Sequence, residues 1–388
     1  MSASGSDPRE DTPLGSDVPS GSAGLDPYGS SAVRTATTVG AEPARGGGSG
    51  RRRRAGFSSN EKLMGWVFIA PALLGILVFL ALPMVMSLYV SFRDWSGLRP
   101  MGTSNFIGLE NYRDLLVEDG LVRRDFATAL RNNFYYVVGV VPAQTTLALL
   151  LAVIVNNKVL KGRTFFRATY YFPSITSSVA IGLVFIFLFQ TNGAINALFG
   201  FFGLPDNIRW LSDASGLIHN VLGLVGIDEA PTWMAESTFM GLSLWQWFSG
   251  PSVTMFGIMM LATWTTTGTM MLIFLAGLQN ISTEVEEASK VDGASTRQHF
   301  FKITVPLLKP TLFFVLTIGL IGTWQVFDQI YVISGGGPQK TTLTPAYLVY
   351  RDGFQGSAMG RAAAISFLLF ALIVTLTLIQ RRVLRTDD

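Results

Sequence analysis

Residues 287–310 read EASKVDGASTRQHFFKITVPLLKP, and the rest of the chain is organised around this polar stretch between two long apolar segments. Thr283 with Glu286 or Glu287 predicts that a helix begins just before it. A hydroxyl group can cap free N–H groups, and a carboxylate is favoured at the positive end of a helix. A short helix is therefore expected over the first part of the stretch.

The second half of the stretch predicts a turn and another helix. Asp292 and Gly293 are expected to end the first helix, because glycine adopts the left-handed conformation without strain. Pro306 and Pro310 mark the start of the following apolar segment. The result is a helix, a turn and a helix that lie at the edge of a membrane.

Composition places the chain among membrane proteins. Hydrophobic residues make up 49% of the 388 residues and charged residues only 14%, with 28 phenylalanines. The chain has no cysteine, which excludes disulfides and thiolate metal sites. We therefore expect an all-α, polytopic membrane protein.

Six apolar segments are long enough to be transmembrane helices, since about 20 residues cross about 30 Å of hydrocarbon. The expected spans cover about 64–92, 132–157, 168–190, 253–278, 307–333 and 362–380. They define a transmembrane domain over 61–388. Six spans place both ends of this domain on the same side.

Residues 1–60 are rich in Gly, Ser, Pro, Asp and Arg, and we expect a disordered cytoplasmic segment. The run of four arginines at 51–54 could bind nucleic acid or anionic lipid, but it more simply holds this end in the cytoplasm. We expect no nucleic-acid partner. A cleaved signal peptide is not expected, because the following apolar run is too long and begins too late.

Basic residues predict which loops face the cytoplasm. They are concentrated between the second and third spans, in the loop 282–305 and in the C-terminal tail, which places both termini in the cytoplasm. These residues are Lys158, Lys161, Arg163, Arg167, Lys290, Arg297, Lys302, Lys309, Arg381, Arg382 and Arg385. The loops 93–131 and 191–252 are then outside.

The outer segment 191–252 is longer than a connection requires. It is mostly apolar or acidic, and its four tryptophans, Trp210, Trp233, Trp245 and Trp247, suit a membrane interface. Three acidic residues, Asp228, Glu229 and Glu236, argue against a further pair of spans. We expect an interfacial cap, which either meets a partner or is an inert surface elaboration.

The opening stretch resembles the EAA loop of the membrane-spanning subunits of bacterial ABC importers. The residues that fit this pattern are Glu287, Ala288, Asp292, Gly293, Ala294, Ile303 and Pro306, with Ser289 in place of the second alanine. A stiff loop of this kind, here 282–305, docks on a separate ATPase and passes its motion to the membrane helices. The resemblance implies that Glu287, Ala288, Asp292, Gly293 and Ala294 couple the chain to the ATPase; an ordinary interfacial loop is the alternative.

The resemblance extends over about residues 60–385. The sequence FDQIYV at 327–332, followed by GGGP at 335–338, is similar to the larger membrane subunit of maltose-type sugar importers. This implies a type I ABC importer permease with six transmembrane helices in the bacterial cytoplasmic membrane. It also implies the partners, which are an ABC ATPase dimer, a second related permease, an extracytoplasmic sugar-binding protein, a sugar and membrane lipid.

The sequence GGGPQKT at 335–341 is not a nucleotide-binding loop. That loop needs a glycine directly before the lysine, whereas Gln339 precedes Lys340. We therefore expect no cofactor in this chain, with ATP bound by partner subunits. His219 and His299 are too isolated to form a metal site, and no catalytic set of residues is evident, so the chain is not expected to be an enzyme.

Polar residues inside two spans are candidates for substrate contact, because such groups usually face the bundle interior or a wet cavity. Thr263 and Thr266 lie in the fourth span, and Trp324, Gln325 and Asp328 lie in the fifth. The resemblance implies that permeases of this kind bind sugar at roughly four of these positions, which are Thr263, Thr266, Trp324 and Gln325. Packing between helices is the alternative for each residue, and Asp328 has the further alternative of lying at the outer interface.

Three classes of function remain. We adopt the permease of an ABC importer, which moves a disaccharide or oligosaccharide delivered by a binding protein; glycerol phosphate or a polyol is the alternative solute. A secondary carrier would show an inverted repeat and membrane-embedded carboxylates that bind ions, and neither is evident. A membrane scaffold or receptor would leave the loop pattern unexplained.

Overall fold

The computed structural model describes residues 59–157 and 160–383. Nearly all of the N-terminal segment 1–60, together with Lys158 and Arg385, lies outside the described residues. From Trp66 onward, the described residues form one compact unit.

The described residues are mainly helical. The helices are α1 (Ser59–Ile76), α2 (Leu82–Ser91), α3 (Glu110–Leu116), α4 (Leu121–Asn156), α5 (Arg163–Ile175), α6 (Ser178–Leu188), α7 (Ala194–Phe201), α8 (Leu217–Leu224), α9 (Thr232–Glu236), α10 (Leu244–Trp247), α11 (Val253–Gln279), α12 (Thr283–Val291), α13 (Thr296–His299), α14 (Val305–Leu307), α15 (Lys309–Trp324), α16 (Asp328–Ile333), α17 (Pro345–Tyr350) and α18 (Met359–Val383). Some are joined by π-helical segments at Leu77–Ala81, Phe300–Thr304 and Arg351–Gln355, and a 3-10 turn covers Met101–Thr103. Two short antiparallel hairpins pair β1 (Arg93–Asp94) with β2 (Asn105–Phe106) and β3 (Thr238–Phe239) with β4 (Leu242–Ser243).

Within the described residues, five helical segments are long and apolar enough to cross a membrane. They are Leu63–Ser91, Leu121–Asn156, Val253–Gln279, Lys309–Ile333 and Met359–Val383. The bent pair formed by α5 and α6 makes a sixth if it is counted as one span. Each of the six expected spans overlaps one of these segments, and the all-α, polytopic fold class is confirmed.

The third expected span, 168–190, differs from a straight helix. Its two halves, α5 and α6, meet at an angle of 97°. Thr176 and Ser177 at the junction have extended backbones with ψ of 146° and 129°, so the helical hydrogen bonds stop there. The hydroxyl of Ser174 donates instead to the carbonyl of Thr265 in α11, at 2.6 Å. The hydropathy of this segment indicates its length but not its bend.

The second span belongs to a helix much longer than 132–157. α4 already begins at Leu121, and its first turns are polar. The carboxylate of Asp125, a residue 9% exposed, forms ion pairs with Lys340 at 2.6 Å and Arg351 at 2.7 Å. These partners come from distant parts of the chain, so tertiary contacts stabilise a helical extension that hydropathy does not predict.

The centre of the unit is the pairing of α4 with α11, which pack along most of their length. One apolar cluster, which includes Tyr136 and Ile258, joins them to α16, α17 and α18. A second cluster around Phe274 joins their other halves to α15. α5 approaches α11 so closely at Gly268 that a methyl group there would collide with the carbonyl oxygen of Tyr170.

The fifth span, Lys309–Ile333, is interrupted between Trp324 and Asp328. The N–H of Val326 donates to the carbonyl of Thr323 at 3.4 Å, and the carbonyl of Val326 accepts from the hydroxyl of Thr344 at 3.1 Å. Irregular backbone at membrane depth is tolerated where its polar groups find such partners or where it lines a cavity. The break therefore indicates that a polar cavity lies between the helices at this point.

The segment 189–252, here called the connector, contains α7 to α10 and the β3–β4 hairpin, and none of its helices is long enough to span a membrane. Trp210, which the sequence suggested for a membrane interface, is only 5% exposed. Its ring lies between Phe189 and Phe199, and its indole N–H donates to Asn196 at 2.8 Å. Trp210 thus forms the local core of the connector, whereas Trp233 is 64% exposed.

Candidate functional site

The loop 282–305 folds as a helix, a turn and a second helix. α12 begins at Thr283, although the preceding Ser282 makes no side-chain capping bond. Gly293 has a φ of +73°, and the N–H groups of Gly293 and Ala294 donate to the last turn of α12 at 3.1 and 3.0 Å. This bonding pattern is a Schellman motif, which fixes the turn and requires the left-handed residue.

The two helices of the loop are tied to each other by a buried contact. Ser289 is 4% exposed, and its Oγ lies 2.8 Å from Nδ1 of His299. Ser295 and Gln298 form a capping box that starts α13. His299, which looked isolated in the sequence, is therefore part of the framework that stiffens this loop.

The outer surface of the loop carries small and acidic residues. Glu287, Ala288, Asp292 and Gly293 are exposed, and a Cβ at Gly293 would meet nothing within 4 Å. Val291, in the last turn of α12, is 86% exposed. Sequence patterns gave no reason to single out either valine of α12, Val285 or Val291.

A cavity of about 460 Å³ lies between α4, α5, α6, α11 and the broken fifth span. Both interruptions, at Thr176 and at Gln325, contribute to its wall. The polar residues in its lining are Tyr136, Gln144, Ser174, Thr176, Ser178, Thr265, Thr266, Thr269, Thr323, Gln325, Asp328 and Gln329. A concave site with apolar walls and several polar groups is suited to a small polar ligand.

Gln144 in α4 holds a central position in this wall. It is 1% exposed, and its Oε1 accepts a hydrogen bond from the hydroxyl of Thr266 at 2.5 Å. Its Nε2 is buried without a hydrogen-bond partner, and it lies where a side chain on Gly319 would collide with it. Because Gln144 lines the cavity beside Thr266, it is a candidate for ligand contact.

The cavity brings together three of the five residues predicted to bind substrate. Thr266, Gln325 and Asp328 line it. Thr263 instead lines a separate, mainly apolar groove between α4 and α11. Trp324 is 4% exposed and packs against Leu369 and Ile373 in an apolar cluster. These two side chains point away because each lies on a face of its helix that neighbouring helices cover.

Sequence reasoning missed several residues of the cavity wall. Gln144 was detectable, because a glutamine within an apolar span is a signal for a wet interior. Ser174, Thr176 and Ser178 are close to the bend between α5 and α6, and the run PSITSS at 173–178 is the only local hint of it. Their convergence on the cavity depends on the 97° bend, which the sequence did not predict.

In the glycine-rich sequence at 335–341, the lysine forms an ion pair within the protein and is not free to bind a phosphate. Lys340 donates to Asp125 at 2.6 Å, and Asn132 donates to the carbonyl of Lys340 at 2.8 Å. Arg351 pairs with Asp125 and with Asp352. The lysine that a phosphate loop would require is thus already paired with a carboxylate.

No metal centre is found in the part of the chain that the structure describes. No three His, Asp or Glu side chains within 59–157 and 160–383 come together in a way that could hold a metal ion. The imidazole of His219, in the connector, is instead stacked on Trp245, with ring centroids 4.2 Å apart.

Residues 144–386 match the family described as binding-protein-dependent transport system inner membrane component. The chain is 32% identical over 337 residues to the probable ABC transporter permease protein YesP of Bacillus subtilis, with 86% of this chain and 94% of the relative covered. It is 30% identical to the arabinooligosaccharides transport system permease protein AraP of Halalkalibacterium halodurans, over 84% of this chain and 88% of the relative. It is also 30% identical to the lactose transport system permease protein LacF of Rhizobium radiobacter, over 81% and 92%.

A solved structure has the same fold. One chain of a bacterial ABC transporter involved in the import of the acidic polysaccharide alginate superimposes with a TM-score of 0.63. The superposition covers 84% of this chain and 96% of that one, at 19% sequence identity. At this identity the likeness concerns the arrangement of the helices alone.

Proposed function

The chain belongs to the family of binding-protein-dependent transport system inner membrane components, and on that premise we propose that it is the membrane-spanning permease of an ATP-driven ABC importer for a carbohydrate. Relatives named for arabinooligosaccharides and for lactose support a disaccharide or an oligosaccharide as the solute. The permease moves its substrate without changing it chemically and holds no cofactor of its own. ATP is bound and hydrolysed by separate subunits.

The observation that carries the coupling role is the geometry of the loop 282–305. A Schellman turn and the contact between Ser289 and His299 stiffen it, while Glu287, Ala288 and Asp292 remain exposed. A stiff element that presents small residues can approach a groove on a partner closely and transmit a rigid-body motion. Glu287 and Asp292 pair with basic groups of the ATPase in this proposal.

The complete transporter contains further subunits in this proposal. Two ATPase subunits bind the coupling loops, a second and related permease completes the path through the membrane, and an extracytoplasmic binding protein delivers the sugar. One solved structure with this fold is described as an alginate transporter in complex with a periplasmic protein that binds an alginate pentasaccharide. That complex supports a binding protein as a partner here.

The basic residues of the described loops support a bacterial cytoplasmic-membrane location with both termini in the cytoplasm. Lys161 lies just before α5, and Arg163 and Arg167 lie in its first two turns. Arg297 and Lys302 lie in the loop 282–305. The positive-inside rule places both regions in the cytoplasm. The connector then lies outside, where the binding protein approaches, and lipid covers the apolar faces of the spans.

The cavity between α4, α11 and the broken spans is the substrate path in this proposal. Thr266, Gln325 and Asp328 are the residues of the original prediction that it retains, and Gln144 is added to them. Two interrupted helices in its wall provide hinge positions for alternating access, since a break absorbs a change of backbone angle without unfolding a long helix.

Purification of the chain from its native membrane in mild detergent tests the proposal. We expect an ATPase, a second permease and a binding protein to be recovered with it, and we expect ATP-dependent sugar uptake after reconstitution of the complex in liposomes. Recovery of the chain alone, with uptake in liposomes that contain nothing else, would contradict the proposal and favour a secondary carrier.

A further inference from the structure

The charge of the cavity wall limits which saccharide it can accept. Among the residues that line the cavity, Asp328 is the only one with a charged side chain, and none is lysine, arginine or histidine. Asp328 is exposed, and no ion pair involves it within the described residues. The described part of the chain therefore presents a single negative charge to a ligand in this space.

An acidic ligand would find no compensation in this wall. A carboxylate or phosphate taken out of water needs a cation or several converging donors, because an unpaired buried charge is strongly unfavourable. Here it would also meet the like charge of Asp328, which repels it. The described wall thus offers an anion no cationic partner and places one like charge beside it.

An uncharged sugar fits the same wall well. The hydroxyl groups of a sugar are donors and acceptors at once, and a carboxylate such as that of Asp328 can accept two of them in charge-assisted hydrogen bonds. Gln325 and Gln329, which also line the cavity, offer amide donors to the same ligand.

We propose that the saccharide moved by this permease is uncharged, and that Asp328 is the hydroxyl acceptor that selects it over uronic acids and sugar phosphates. This inference rests on the proposed function and makes it more specific. It assigns a role in selection to the permease in addition to that of the binding protein, because an acidic saccharide would be opposed within the membrane as well.

The first test uses the unmodified transporter, purified with its partner subunits and binding protein and reconstituted in liposomes. The probes are di- and trisaccharides of mannose, galactose and glucose, each compared with the oligomer of the corresponding uronic acid. We expect a neutral probe to stimulate ATP hydrolysis and uptake at least about tenfold more than its uronate, given the repulsion from one fixed charge. Import of a uronate as fast as its neutral counterpart would overturn the inference while leaving the proposed function intact. Failure of every saccharide, with lactose and arabinooligosaccharides included among the neutral probes, would overturn the proposed function itself.

The second test uses variants of Asp328. Asp328→Asn is expected to lower uptake of the neutral probe about tenfold, since a hydrogen bond to a charged group is stronger than its neutral equivalent. Asp328→Glu, which retains the charge, is expected to keep the preference for the neutral probe. Asp94→Asn, which removes an exposed carboxylate from β1, outside the cavity and the connector, is the matched control and should resemble the unmodified protein.

Assembly of each variant is checked by the amount of ATPase recovered with it. Uptake by Asp328→Asn equal to that of the unmodified complex, for neutral and acidic probes alike, would overturn the assignment of Asp328. If Asp328→Asn does not assemble, the comparison of neutral and acidic probes in the unmodified complex still decides whether the saccharide is uncharged, and loss of that preference in Asp328→Glu would overturn the assignment of Asp328.

Discussion

Ser289 Oγ and His299 Nδ1 lie 2.8 Å apart and join the two helices of the loop 282–305. The Ser289 hydroxyl also donates to the carbonyl of Glu286 at 2.8 Å. A hydroxyl has one proton, and with that proton directed at Glu286 the geometry fits a His299 tautomer that donates to Ser289 through Nδ1–H. The serine that replaces an alanine in the family pattern therefore forms a link that alanine could not form.

Replacing either partner should loosen the loop. We expect Ser289→Ala and His299→Ala each to cost about 1 kcal/mol of loop stability, and the double variant to cost less than the sum, with a coupling energy of about 1 kcal/mol. Hydrogen exchange over residues 283–299 measures these values. Ser282→Ala removes a hydroxyl that makes no side-chain capping bond and is the control. Strictly additive losses would show that the contact has no energetic role.

Gly293 should tolerate side chains according to their preference for positive φ rather than their size. Its Cβ position is open, but its φ of +73° disfavours β-branched residues. We expect Gly293→Val to disrupt the turn by about 2 kcal/mol and to uncouple ATP hydrolysis from uptake. Gly293→Asn, which adopts this conformation more readily, should retain most coupling. Equal uptake in the valine variant and the unmodified protein would refute the coupling role.

Thr266 should matter to transport through Gln144. Thr266→Val keeps the shape of the side chain but removes the hydroxyl that donates to Gln144, so the buried amide loses its one recorded partner. We expect sugar uptake to fall about tenfold, which corresponds to about 1.4 kcal/mol. Thr266→Ser retains the hydroxyl and serves as the control. If both variants transport equally well, the hydrogen bond does not position Gln144 for transport.

Loss of the Asp125 carboxylate should destabilise the protein more than loss of the Lys340 ammonium group. The side chain of Arg351 is 29% exposed and that of Lys340 is 49% exposed. We expect Lys340→Met to cost under about 1 kcal/mol, as exposed pairs usually do. Asp125→Asn should cost about 1 to 3 kcal/mol, because Lys340 and Arg351 both lose an ion pair at once and Arg351 keeps only Asp352. Thermal unfolding of the purified complex ranks the two variants, and a larger loss for Lys340→Met would refute this account.

The connector should become less stable in acid because of His219. Burial lowers the pKa of His219 from its usual value of 6.5; the carbonyl of Trp245 opposes this shift, and Arg131 adds to it. Protonation is therefore easier when the connector opens, so its stability should be fully present above pH 6.5 and should fall as the pH drops below that value. Hydrogen exchange of Leu217–Leu224, corrected for intrinsic rates, measures the effect. His219→Gln should abolish this dependence, and an unchanged dependence in that variant would assign it to another group.

Much of the fold was predictable because hydropathy and local signals act within one segment. The apolar runs predicted where the spans lie, and Gly293 predicted the turn of the loop 282–305. The extension of α4 back to Leu121 was not predictable, because Asp125 is held by Lys340 and Arg351, which lie more than 200 positions away in the sequence.

The candidate site was only partly predictable, because contacts between residues distant in the sequence also decide which side chains line the cavity. Polar residues in spans indicated a wet interior, and Thr266, Gln325 and Asp328 do line the cavity. The side chains of Thr263 and Trp324 are equally suitable in the sequence but face elsewhere. The direction in which a side chain leaves a helix is set by the helices packed around it, and that information is spread over the whole chain.

The sequence by itself determined that the chain crosses a membrane, that it carries a helix–turn–helix loop of the importer pattern, and that the loop turns at Gly293. These properties follow from the transfer of apolar segments into lipid and from the allowed backbone angles of single residues. Only the tertiary structure decided that the third and fifth spans are broken and that Gln144 meets Thr266 between them. Breaks and cavities arise where several helices provide hydrogen-bond partners for each other's backbone and side-chain polar groups. The sequence of a single segment does not specify those partners.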